Sequence, residues 1–309
     1  MRAFVYQILP DYASPSDLDP GFLVLDNRAT ERPDWYEYWP IRRFLRGEPL
    51  DEQAWYGFLS PRFRQKTNLD ARAVHAFLAE AGASIDVALF SPSIHNTAHF
   101  WNVFEHGGHE HPGLEAVAAD LLARIGRPTD LDRFVSDSRN TVNSNFFVAK
   151  PRFWRAWLEI TERLYAIAED AADPLGERLR ATVPYRGRRD VQMKVFVLER
   201  MASWLLWREP GFATLARDPF AAGARVYKLP VALICDALKI AYATQGRAQY
   251  RTVFRMVAGL RRLANAGIRI GAFCGSRRVA APLRSLAAPW HTGGEQGGGH
   301  GAADEERPA

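Results

Sequence analysis

Eighteen residues, 141–158 (TVNSNFFVAKPRFWRAWL), constrain the fold of this chain more than any other stretch. Asn143, Ser144 and Asn145 place amides and a hydroxyl ahead of a short apolar run, residues 146–149, which has the length and composition of a buried strand. Lys150 and Pro151 end that strand. Phe153, Trp154, Trp157 and Leu158 then recur at helical spacing, so a helix lies back on the sheet. The result is a strand, turn and helix unit with polar groups at the mouth of the strand.

Similar units recur along the chain. Strands are expected at 3–9, 21–25, 55–63 and 86–90, and helices at 71–81, 114–125 and 154–168, an alternation that gives a largely parallel α/β sheet. Asp34 and Glu37 have capping-box spacing, so a helix is expected to begin there and to be kinked or restarted by Pro40. The segment WYEYWPIRRFL packs its aromatics on the sheet, with Glu37 and Arg42 as the members hardest to bury. Residues 185–190 (YRGRRD) form a basic turn. Residues 191–206 are apolar at helical period and carry one carboxylate, Glu199, followed by Arg200.

A hydrophobic content of 47% over 309 residues supports a substantial core. The opening MRAFVYQILPDY has too short an apolar run for a signal peptide, and no segment approaches the ~20 apolar residues of a spanning helix, so a cytosolic location is expected. Cys235 and Cys274 make no disulfide framework. The net charge of +5 is unevenly spread: residues 237–294 hold ten basic residues and no acid, and residues 295–309 hold four acids against one arginine. The basicity points to a local anionic partner. In residues 250–263, Tyr250, Val253, Phe254, Val257 and Leu260 fall on one helical face and Arg251, Arg255 and Arg262 on the other, either a helix packed on the domain or one lying on an anionic inner leaflet. The glycine-rich residues from 289 onward form a disordered tail.

Several polar groups stand where a sheet of this kind meets ligand. Asp26 closes the second strand, either accepting a hydrogen bond from a ribose or base edge or serving as a turn residue. Arg62, Arg64 and Lys66 follow the third strand and offer the charge that neutralises a diphosphate, unless they form a solvated basic loop. Two Asp-Leu-Asp matches, at Asp17 and Asp19 and at Asp130 and Asp132, follow no obvious buried strand. Residues 95–112 hold five histidines. His106, His109 and His111 with Glu105 and Glu110 have the donor chemistry of a zinc or manganese site but no metal-binding spacing, so a flexible acceptor or donor loop is expected there. Asp137 and Arg139 precede Asn143 and Asn145. Asp137 either meets a sugar hydroxyl or acts as base, or it closes a loop salt bridge with Arg139.

The ordered series WYEYWPIRRFL, WYGFLSPRF, DVALFSP, a histidine-bearing segment ending in HP, SNFFVAKPRFW and VFVLERMASWLL, over roughly residues 1–210, resembles a family of bacterial GT-A-like glycosyltransferases of capsule, exopolysaccharide and O-antigen loci. The resemblance implies a GT-A-like, Rossmann-like sheet with flanking helices, a domain expected over residues 1–228; the residues beyond read as a basic helical extension over 229–288 and a tail over 289–309. It implies a hexosyltransferase-type reaction, moving a sugar from a nucleotide donor to a glycan or lipid-linked acceptor. Tyr6, Gln7, Asp26 and Asn27 would then lie near the nucleotide and Arg62, Arg64 and Lys66 near the diphosphate. Arg139, Asn143, Asn145, His109 and His111 would lie near donor sugar or acceptor, with Asp137 or Glu199 as the base of an inverting reaction. The chain departs from the family in lacking Asp-x-Asp after WYGFL, where a divalent metal such as manganese or magnesium is usually held; cations stand there instead. The metal site is therefore open, and a catalytically silent nucleotide- or partner-binding protein is the alternative. The basic segment has no nucleic-acid-binding motif, and no nucleic-acid partner is expected.

Overall fold

The structure is a computed structural model that describes residues 1–92, 94–185, 188–218, 220 and 229–273, except for the side chains of 185, 188–190 and 261–273. In chain order it comprises β1 (Ala3–Pro10), β2 (Leu23–Asn27), α1 (Tyr38–Gly47), β3 (Trp55–Leu59), α2 (Phe63–Thr67), α3 (Ala71–Glu80), β4 (Val87–Leu89), α4 (Ile94–Thr97), α5 (Val103–Glu110), α6 (Leu114–Arg124) and β5 (Phe147–Ala149). There follow α7 (Pro151–Glu169), α8 (Pro174–Arg180), β6 (Thr182–Tyr185), β7 (Arg188–Gln192), α9 (Met193–Leu198), α10 (Met201–Arg208), β8 (Thr214–Ala216), α11 (Leu229–Gln245) and α12 (Ala248–Phe273). Short 3-10 turns occupy Pro15–Asp17 and Pro33–Trp35.

The sheet runs β2-β1-β3-β5-β4-β8. All its strands are parallel except β5, which is antiparallel to both β3 and β4. Strand alternation sends side chains into two cores. Ile8, Phe58, Leu89 and Phe147 face one that is closed by α1, α6, α7, α9 and α10. Val5, Trp55, Leu59, Phe146 and Val148 face the other, closed by α2 and α3. The fold is thus an α/β protein with helices on both faces of a mostly parallel sheet, as the alternation of elements predicts. The 141–158 unit is its keystone: β5 is fully buried, and Trp154 of α7 packs on Phe147 and donates its indole N–H to the Tyr56 carbonyl at 2.9 Å. A β-carbon at Gly57 would lie 2.6 Å from Val148, so glycine is what lets β3 pair so closely with β5.

Five expectations need correction. β3 stops at Leu59, because Pro61 cannot donate to a ladder and the chain turns into α2 instead, with the Phe63 N–H on the Ser60 carbonyl. β2 starts at Leu23 and takes in Asp26 and Asn27, while Gly21 is pressed against Ala71 of α3. No helix begins at Asp34, whose carboxylate is held by Arg32 and Lys194; α1 begins at Tyr38, and Pro40 lies in its first turn, where a missing N–H costs nothing. The histidine segment is helical. The Asn102 side-chain oxygen caps α5 by accepting from the Phe104 and Glu105 N–H groups, both at 2.9 Å. Residues 182–192 pair as the hairpin β6-β7, so Tyr185 and Arg188 belong to strands, with 186–187 outside the described residues.

The sixth departure is more instructive. The helix expected over 191–206 is two helices, broken at Glu199 and Arg200. The Arg200 guanidinium donates to the Phe196 carbonyl, the acceptor that its own backbone N–H would use in an unbroken helix. That N–H turns to Val197 at 3.1 Å, a 3-10 step that ends α9.

Residues Met1–Leu263 form one compact unit and Ala264–Ala309 another, of which the described part is helical backbone to Phe273. Cys235 is buried and in no disulfide, with its Sγ 3.8 Å from His99 Nδ1, whereas Cys274 and the tail lie outside the described residues. Among the described residues no helix is long and apolar enough to cross a membrane.

Candidate functional site

The carboxyl end of a parallel sheet is where α/β proteins meet their ligands, and here it gathers groups from four separate segments. The turn after β3 and the one-and-a-half turns of α2 carry Arg62, Arg64 and Lys66, all exposed. The segment before β5 reaches the same edge because β5 runs opposite to its neighbours. Within it Ser144 and Asn145 are both left-handed, at φ 60° and 54°, an uncommon conformation for residues with a β-carbon. The Lys66 Nζ donates to the Ser144 Oγ at 3.0 Å and lies 5.4 Å from the centre of the Phe146 ring.

Glu37 supplies the third segment. It follows Tyr36, whose backbone at φ 48° and ψ −132° is strained for a tyrosine, and it leads into α1. Burial pushes the Glu37 carboxyl above the usual carboxylate range, and the charge of Glu199 pushes it further; Lys66 and Arg62 pull against that. Glu199, at the break between α9 and α10, is the fourth segment's contribution. Its neighbour Arg200 is buried and anchored, donating its Nε–H to the Val103 carbonyl at 2.8 Å. Two carboxylates and two cations thus share one field at the sheet edge. Two buried amide oxygens without a hydrogen-bond partner, Asn27 Oδ1 and Asn145 Oδ1, belong to residues on the same edge. A partnerless buried amide oxygen is costly unless a ligand or water completes it.

The remaining expected site residues are taken up by the fold. Gln7 is buried with both ends of its amide in use, donating to the Ser60 carbonyl at 3.2 Å and accepting from the Asp19 N–H at 2.8 Å. Tyr6 packs between Phe44 and Phe58. Asp26 pairs with Arg28, whose hydrogen bonds hold its carboxyl down to about 2. Asn143 clamps the site segment to the end of β4: its N–H donates to the Ser91 Oγ and its Nδ2 to the Pro92 carbonyl, both at 3.0 Å. Asp137 is buried and forms the loop salt bridge, receiving the Arg139 Nε–H at 3.0 Å on one oxygen and the Nη2–H at 2.7 Å on the other.

The histidines do not form a metal site, and no group of three histidine, cysteine or carboxylate ligands converges among the described residues. His106 and His109 pack against Phe100, and His111 stacks on Phe196 with ring centres 3.7 Å apart. Nor do the Asp-Leu-Asp pairs form one. Asp19 accepts from the Gly21 and Ala71 N–H groups, Asp17 from Ser14, Asp130 from the Asp132 N–H, and Asp132 pairs with Arg251.

Glu37 is the residue that sequence reasoning left among packing aromatics. Beside its capping-box spacing from Asp34, its signal is a carboxylate inside WYEYW, a place where an ionisable group is expensive unless it is used. What fold and site define is an α/β protein with a mixed-charge site, two carboxylates and a lysine–serine contact, at the carboxyl edge of its sheet. No family model, curated protein or solved structure matches the chain.

Proposed function

We propose that the chain is a GT-A-like glycosyltransferase that moves a sugar from a nucleotide-sugar donor to a glycan or lipid-linked acceptor in bacterial surface polysaccharide synthesis. The observation that carries this reading is the Lys66–Ser144 contact at the edge where such sheets bind ligands, with the charges of Glu199, Lys66 and Arg62 all acting on the Glu37 carboxyl. Transfer from a nucleotide diphosphate needs positive charge where the leaving group departs and a carboxylate where the acceptor hydroxyl loses its proton. Lys66 and Arg62 take the first role, and Glu199 takes the second. Glu37, whose carboxyl is pushed upward by burial, meets a sugar hydroxyl. Asn145 Oδ1, short of a donor, accepts from a second hydroxyl. Asp137 keeps its carboxylate on Arg139 and holds the segment that leads to Asn143.

The test is a thermal-shift series with UDP, GDP, CMP and dTDP, each with manganese and with chelator. A nucleotide present at a hundred times its dissociation constant adds about 2.7 kcal/mol of stability. Stabilisation by one of them, reduced in Lys66→Met, supports the reading. No shift with any of them favours a protein that binds a partner without turnover.

A further inference from the structure

Helix α11 is built inside out. Its two charged residues, Asp236 and Lys239, are buried: Asp236 Oδ1 accepts from the Ser138 N–H at 2.8 Å, and Lys239 Nζ donates to the Phe100 carbonyl at 3.1 Å. Ala232 and Cys235 share that inner face and pack with Trp101 and with Phe254 and Ala258 of α12. The outward face, Pro230, Leu233, Ile234 and Ala237 at i, i+3, i+4 and i+7, carries no ionisable group. On α12 the sequence stripe is split. Phe254 is buried, whereas Val253, Met256 and Leu260 at i, i+3 and i+7 stand 44%, 64% and 67% exposed, as Leu233 at 43% and Ile234 at 49% do on α11, whose inner face packs on α12. These five make up most of the large apolar side chains exposed among the described residues; the rest are Met1, Tyr12, Leu23 and Val24. Such a concentration marks a surface that is covered in use.

Charge decides what covers it. Residues 237–294 hold ten cations and no acid, and Arg247 and Arg255 are exposed on and beside α12, while Arg251 is turned in over Trp101 and pairs with Asp132. A second copy of the chain would bring its own Arg247 and Arg255 against these arginines at a shared interface. An anionic lipid layer supplies the opposite sign, and its headgroup boundary accepts apolar side chains to a depth of about 5–10 Å. We propose that the outward faces of α11 and α12 dock on an anionic membrane surface, with Leu233, Ile234, Val253, Met256 and Leu260 entering the headgroup boundary. This inference stands on the two helices and holds whether or not the sheet-edge site transfers a sugar.

The test is flotation of the full chain with phosphatidylcholine vesicles, with and without phosphatidylglycerol. The chain is expected to float with the phosphatidylglycerol vesicles and to be released by salt. Met256→Glu and Leu260→Glu each weaken binding about tenfold and Arg255→Ser about fivefold. All three side chains are exposed, so circular dichroism and melting temperature should stay at the parent's values. Absence of flotation, or equal flotation with phosphatidylcholine alone, overturns the proposal. So does a concentration-dependent dimer in sedimentation velocity that Met256→Glu dissociates while no vesicle binding is seen, which assigns the face to a second copy.

Discussion

A β-carbon on Gly107 would lie 2.3 Å from the Nε of Arg200, so the two residues fit only because position 107 is glycine. The guanidinium it admits is anchored to the carbonyls of Val103 and Phe196, and that anchoring breaks α9 from α10 and sets Glu199 at the sheet edge. Gly107→Ala forces a buried cation off its acceptors and is expected to cost about 2–3 kcal/mol in urea unfolding. Arg200→Met in the same background should recover part of the loss, so the two substitutions will not add.

Glu37 sets a pH dependence of stability. Its folded-state carboxyl is raised above the ordinary value of 4.5, so the folded state binds its proton more tightly than the unfolded chain does. The contribution is complete below 4.5 and is lost as pH rises through the raised value. Glu37→Gln should therefore melt higher than the parent at neutral pH, with the gap closing as pH falls toward about 4. A gap that stays constant with pH would mean that the carboxyl titrates as it does in water.

His106 acts at the acid end. Burial first, then the charges of Arg200, His109, His111 and Lys239, lower its ring from 6.5 to about 4, and burial lowers His111 too. The unfolded chain takes up the proton first, so stability falls as pH drops from 6.5 toward 4, by at most about 3 kcal/mol from His106. His106→Gln should flatten melting temperature across that window, read by scanning calorimetry.

Lys66 and Glu199 separate binding from turnover. Lys66→Met removes the cation that meets Ser144 and is expected to weaken nucleoside diphosphate binding about tenfold, measured by calorimetric titration. Glu199→Gln should leave that binding near the parent's value and lower sugar transfer at least about a hundredfold, because it removes the base and keeps the shape.

The ion-pair network of Arg32, Asp34, Glu169 and Lys194 gives a stability test that needs no ligand. Lys194 is buried against Trp35, with its Nζ 2.5 Å from Asp34 and 3.7 Å from Glu169, and Arg32 bridges the same two acids. Lys194→Ala removes one of the two cations on Asp34 and leaves Arg32 on both acids, so it should cost about 2–3 kcal/mol in unfolding experiments. A loss below about 1 kcal/mol would show that the pair behaves as a surface bridge.

The local pattern of the chain was enough to specify β1, β5, α3, α6 and α7, and with them an α/β sheet with helices on both faces. Each of those elements depends on neighbours a few residues away: alternating or continuous apolar runs, a proline at the first turn of α7, aromatics at helical spacing. Sequence also put Lys66, Asn145 and Glu199 among the candidates, because polar groups at strand ends and a carboxylate in an apolar helix are costly without a purpose. The tertiary structure decided the rest. It turned β5 against its neighbours, so that the left-handed Ser144 and Asn145 share an edge with Lys66. It chose the Arg139 salt bridge from the readings that sequence leaves open for Asp137, and drew Glu37 into the field of Glu199, a residue far away along the chain. Arg200 broke a helix that its own periodicity predicted, because a buried guanidinium must find acceptors and the nearest was the carbonyl its backbone needed. Electrostatic partners and competition for a hydrogen bond are set by distance in space, and a linear pattern carries no measure of that distance.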